Sequence, residues 1–232
     1  MPEGRKQPCW GLLEIVLVYC GVFIITTVVG SYSLHSWWLE NQPLGRFYLV
    51  AMAQFLATIG LVLIFSVGTK KASWADLGLR PASMQELLKY GCGFGILLVL
   101  FMLAMSWPLS RLQPDIAPQL FETMLRNADN GYTFMILFFM GAVLAPAAEE
   151  LFYRAMIYPF LRGALGPIWG IVLAGLVFGL AHWDLWRTIP LAVGGAVLCY
   201  IYEKTGSIFV PMVTHGVWNG VMSLLVLLKI QI

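Results

Sequence analysis

From Ile15 to Leu39, from Phe47 to Thr69 and from Asn130 to Ala148 the chain runs without a single Asp, Glu, Lys or Arg. An α-helix rises about 1.5 Å per residue, so about 20 apolar residues cross the roughly 30 Å of hydrocarbon in a bilayer. Of the 232 residues, 59% are hydrophobic and only 11% charged, where a soluble domain carries about 25% charge. These runs predict an all-α fold, a polytopic transmembrane helix bundle of about seven spans, with six to eight allowed. The spans are expected near Gly11–Tyr32, Phe47–Gly68, Tyr90–Trp107, Phe134–Phe160, Pro167–Trp183, Pro190–Tyr202 and Ser207–Ile230. No internal repeat or low-complexity tract appears, so residues 1–232 read as one membrane domain. Arg5 and Lys6 precede an apolar run too long for a signal peptide, which predicts a retained first helix.

Polar connectors separate the spans, and those at 69–89 and 111–132 are expected to carry short interfacial helices. Trp37, Trp38, Trp74, Trp107 and Trp183 near span ends suit the membrane interface. Cys9, Cys20, Cys92 and Cys199 form no CxxC pair and predict neither a disulfide framework nor a sulfur-ligated metal. A net charge of +2 without a dense basic cluster excludes a nucleic-acid partner. With seven spans, Arg5, Lys6, Lys70, Lys71, Arg80, Lys89, Arg162 and Lys204 share the N-terminal side, and Arg46, Arg111, Arg126, Arg187 and Lys229 the other. That excess predicts a cytoplasmic N-terminus and a protein of the plasma membrane.

Against this background the polar residues inside the spans stand out. A charge near the bilayer centre costs roughly 2.5–3.5 kcal/mol on insertion scales, and buried ionisable groups are functional candidates by default. Counting along each helix from the N-terminal side of the membrane, Glu149 lies at ~18 Å, His182 at ~22 Å, His215 at ~12 Å and Asn219 at ~18 Å. They share one layer about 10 Å thick, expected somewhat toward the cytoplasmic half. Glu150 and Arg154 stand at i and i+4 and pair along one helix face, leaving Glu149 free. Phe178, one turn before His182, is placed to wall off the imidazole. Each feature alone has a plainer reading: a solvated acid pair, a core histidine, a structural counter-charge. Their shared depth argues against coincidence.

Glu149-Glu150-x-x-x-Arg154, Phe178-x-x-x-His182 and His215-x-x-x-Asn219, set in LAPAAEELFYR, LVFGLAHW and YEKTGSIFVPMVTHGVWNG, resemble the three-motif signature of the CPBP family. These are the CAAX-processing and bacteriocin-processing intramembrane proteases, also called Abi proteins. The resemblance covers about Phe134 to Val221, so residues 134–221 are expected to form the motif-bearing catalytic core. Ala155 departs from the glycine that many members carry after the arginine, a change in helix packing only. The resemblance implies an intramembrane endopeptidase in which Glu149 and His182 activate a water, while His215 and Asn219 stabilise the oxyanion. Glu150, Arg154 and Phe178 are then supporting residues. The family has been described both as glutamate proteases and as metalloproteases. Were zinc bound, Glu149, His182 and His215 would be its ligands. Ligand histidines usually carry a carboxylate or carbonyl partner. In sequence neither histidine has an obvious carboxylate beside it, unless Glu150 reaches across or Asp184 lies near. The expectation is therefore a water-activating glutamate with no required cofactor. The substrate is expected to be a peptide precursor or a membrane-protein tail. Two readings from other classes remain: a proton- or ion-coupled transporter, which should show repeats and polar groups along a path through both halves, and a non-catalytic scaffold or immunity protein. Neither substrate identity nor oligomeric state is legible.

Overall fold

A computed structural model describes residues 7–113 and 117–230. Arg5 and Lys6, counted in the charge bias, lie outside them. The described chain is helical: α1 is Leu12–His35, α2 Pro43–Thr69, α3 Met84–Leu112, α4 Leu120–Arg126, α5 Gly131–Leu180, α6 Leu185–Thr205 and α7 Phe209–Leu227. All but α4 are long and apolar enough to cross a membrane. The protein is an integral membrane protein.

The long α5 explains the difference between six helices and seven spans. Its 50 residues would extend about 75 Å if straight. Gly166 breaks it with φ 80° and ψ 170°, a conformation essentially confined to glycine, and Pro167 cannot donate to the preceding turn. The chain reverses there: a Cβ at Gly170 would stand 2.9 Å from the Arg162 Cα. The arms 131–165 and 167–180 are thus the expected fourth and fifth spans. α6, expected to be short, is a full 21 residues, because its polar ends remain helical. Of the two expected interfacial helices, the second is α4. The first is reduced to turns over 70–83, and the Ser83 capping box opens α3 directly.

Small residues bring the C-terminal helices together. A Cβ at Gly175 would lie 2.6 Å from the Ala192 carbonyl oxygen, and one at Gly179 2.5 Å from that of Thr188. Such close backbone approach is how membrane helices gain packing without a hydrophobic drive between them.

One face of the bundle is tied by polar contacts. The Gly78 carbonyl accepts from Ile208 N–H at 2.8 Å, Ser207 Oγ donates to the Arg80 carbonyl, and the Arg80 guanidinium donates to the Thr205 carbonyl. Lys70 pairs with Glu14 at 3.0 Å, and Gln7 Nε2 reaches the Gly163 carbonyl. Below them lies a buried cluster that sequence reading missed, in which Glu203 accepts from Tyr158 Oη at 2.9 Å and from both Arg162 Nε and Nη2. Arg162 had figured only as a topology charge. We call this the near face, and the face carrying 117–130 and 181–184 the far face.

Candidate active site

The site begins with a local fault in α5. Residues Met140–Leu144 are wound as a π-helix, with Ala145 N–H bonded to the Met140 carbonyl. In that register the Gly141 carbonyl would look to residue 146, which is a proline without an N–H. Asn219 supplies the missing donor, its Nδ2 lying 3.0 Å from the Gly141 oxygen. Gly216, one turn earlier on α7, lets the helices close: a Cβ there would stand 2.4 Å from the Ala142 oxygen. The proline that opens the Glu149 segment therefore also docks the helix carrying His215 and Asn219.

The two adjacent glutamates take opposite environments. Glu149 is 29% exposed at its side chain, and Glu150 is fully buried. Glu150 Oε1 accepts from Arg154 Nη1 at 2.9 Å, the expected i, i+4 pair, and from His215 Nδ1 at 2.7 Å. The arginine is itself fully buried. Its guanidinium donates to the Gly195 carbonyl at 3.3 Å and lies 4.4 Å from the centroid of the Phe178 ring, a desolvated cation–π contact. Arg154 Nε and Glu150 Oε2 have no hydrogen-bond partner among the described residues.

Both histidines are oriented through Nδ1. Glu150 holds His215, and the Phe178 carbonyl lies 2.9 Å from His182 Nδ1. Carboxylates and carbonyls accept, so Nδ1 carries the proton in each ring and Nε2 is left to the site. Phe178 stands edge-on to both imidazoles, with centroids 4.9 Å from His182 and 5.8 Å from His215. It does more than wall off one of them. His182 sits just past the end of α5, where Trp183 turns the chain with φ 53° and Asp184 caps α6 by accepting from Trp186 and Arg187 N–H. Burial pushes the Asp184 carboxyl up, but those bonds and the Arg187 guanidinium outweigh it and hold the group below the usual carboxylate range. Asp184 thus serves the helix start and Arg187; among the described residues no hydrogen bond or ion pair joins its side chain to His182.

Glu149, Phe178, His182, His215 and Asn219 all line one cavity of ≈ 1010 Å³. The Glu149 carboxylate and His215 Nε2 are 3.8 Å apart across it, too far for a direct hydrogen bond and suited to one bridging water. The residues expected to share a depth line a shared cavity. Its other walls come from the start of α2, the end of α3, α4 and the start of α6, and no residue from 56–101, 150–177 or 192–214 contributes. The cavity therefore opens to the far face. The sequence expectation set the site toward the cytoplasmic half together with a cytoplasmic N-terminus; the mouth of the cavity lies on the face opposite the start of α1.

Glu149, His182 and His215 were the set named for zinc. Among the described residues no three His, Cys, Asp or Glu side chains are grouped to hold a metal ion, so no step below passes through one. The sequence argument from missing partners does not survive, because Glu150 reaches His215 and a carbonyl reaches His182. The four cysteines are free.

A family model for Rce1-like proteins, described as type II CAAX prenyl endopeptidase Rce1-like, matches residues 131–221. The chain is also similar to "Putative membrane peptidase YdiL" of Bacillus subtilis (strain 168), with 23% identity over 84 residues. That stretch is 36% of this chain and 34% of the relative, so the match spans about a third of each. No solved structure matches the chain.

Proposed function

We propose, on the premise that residues 131–221 place this chain in the CPBP family, that the protein is an intramembrane endopeptidase using Glu149, His182, His215 and Asn219. The observation that carries the reading is that these four side chains, from three separate helical segments, line a single cavity. Glu149 is the general base. It takes a proton from a water held with His182 Nε2, the hydroxide adds to the scissile carbonyl carbon, and the proton passes to the leaving amine as the C–N bond breaks. His215 and Asn219 stabilise the oxyanion. The Glu150 carboxylate behind Nδ1 holds the imidazole with Nε2 toward the site, and Asn219 keeps one amide hydrogen after its bond to Gly141. The single cavity favours this reading over a transporter, which would need a path through both halves.

The test is cleavage of a panel of quenched fluorescent peptides by the purified protein in lipid nanodiscs. Cleavage is expected to persist after exhaustive chelation, and chelator inhibition reversed by stoichiometric zinc overturns the metal-free mechanism. Removing one oxyanion donor costs about 10²–10³ in rate in other proteases. Asn219→Ala should accordingly lower kcat by that order with little change in KM, since the bond forms in the transition state. A change confined to KM reassigns Asn219 to substrate binding.

The charge bias places the near face in the cytoplasm of a plasma-membrane protein, so the cavity opens outward. In a background without the four natural cysteines, Ser110→Cys at the cavity should label from outside intact cells. Ser73→Cys on the near face should label only after permeabilisation. The reverse pattern turns the cavity toward the cytoplasm.

A further inference from the structure

Three glutamines face the cavity with their amides unused. Gln54 comes from the middle of α2, Gln113 follows the end of α3, and Gln119 caps α4. Among the described residues none of their side chains makes a hydrogen bond, although the Gln54 and Gln119 main-chain carbonyls accept from Thr58 and Thr123. Several other polar groups on the wall are occupied. Ser106, Ser110 and Ser223 donate to main-chain carbonyls in their own helices, Glu122 pairs with Arg126, and Arg187 holds Asp184 and the Ala117 carbonyl.

A primary amide offers a donor and an acceptor without charge. That is the complement of a peptide unit, whose N–H and C=O must find partners once removed from water. An unpaired polar side chain inside a membrane helix, as at Gln54, marks a working surface by default. The rest of the wall is largely apolar and carries Met102, Met105, Met140 and Met222. Methionine is unbranched and polarisable and adapts to varied shapes. A volume of ≈ 1010 Å³ stands at the top of the 300–1,000 Å³ range of small-molecule sites, more than one side chain needs.

Building on the endopeptidase reading, we propose that Gln54, Gln113 and Gln119 bind the main chain of the substrate, so that the cavity takes an extended, uncharged, apolar peptide segment with little discrimination among its side chains. Selection is by backbone and apolarity rather than by a sequence motif.

The test separates binding from hydrolysis. Fluorescence anisotropy with the Glu149→Gln protein in nanodiscs measures the Kd of a short apolar peptide, of its N-methylated counterpart, and of versions exchanging Leu, Phe and Met. Gln54→Leu, well suited to a lipid-embedded helix, is added to that background and separately to the parent. Loss of one ordinary hydrogen bond should weaken Kd and raise KM about two- to tenfold, with kcat unchanged. N-methylation should weaken binding more than any exchange of apolar side chains. The proposal is overturned if Gln54→Leu binds like its parent, if side-chain exchange dominates, or if no peptide binds. Backbone-dependent binding without hydrolysis by the parent removes the endopeptidase reading and leaves this one standing. Hydrolysis indifferent to Gln54 and N-methylation does the opposite.

Discussion

Glu149→Gln is expected to abolish measurable peptide hydrolysis, a loss of about 10²–10⁴-fold for a general base, while leaving the protein folded. The two adjacent carboxylates make this a sharp test, because they differ in surroundings. Glu149 makes no close ion pair, standing 3.8 Å from His215, and its side chain is open to the cavity. Glutamine fills the same space and removes only the ability to accept a proton. Thermal unfolding in detergent should therefore match the parent while kcat collapses. A variant that is inactive and unfolded would place Glu149 among the structural residues, and one that remains active would move the base elsewhere in the cavity.

Arg154→Ala is expected to act on stability first, by about 3–5 kcal/mol, the usual effect of leaving a buried charge without its partner. Its guanidinium is fully buried between Glu150, the Gly195 carbonyl and the Phe178 ring, so its loss leaves the Glu150 carboxylate to His215 alone. Folded yield and melting temperature should both fall. The double variant Glu150→Gln/Arg154→Met removes both charges and should recover much of the stability, since replacing an ion pair by neutral groups is often close to neutral. Activity should stay low in the double variant, because His215 has lost the carboxylate behind Nδ1. If Arg154→Ala melts like the parent, the arginine belongs to the reacting set and not to the scaffold.

The glutamate pair shows how far the sequence reaches. Arg154 at i+4 from Glu150 is a helical neighbour, so that pair was legible and is present. The contact from Glu150 to His215 spans 65 positions and depends on how α7 docks on α5, which no local spacing encodes. The same holds for Asn219, whose bond to Gly141 exists because Pro146 leaves a π-wound carbonyl without a donor. A break between Phe160 and Pro167 was legible from the apolar spans, and the structure sets the reversal at Gly166-Pro167, where glycine and proline dictate the backbone geometry.

What the sequence by itself determined is the solvent, the helices and the identity of the polar residues within them. Unbroken apolar runs leave no alternative to crossing a bilayer, and a charge inside such a run has to be used or neutralised. Tertiary structure alone decided that Glu150 reaches His215, which face the cavity opens to, and that three glutamines from separate segments line it. These depend on the rotation and crossing of packed helices, which small residues such as Gly175, Gly179 and Gly216 permit by allowing backbones within contact. Axial depth can be counted along a chain at a fixed rise per residue. Direction around a helix axis becomes meaningful only against a neighbour, and so it waits for the fold.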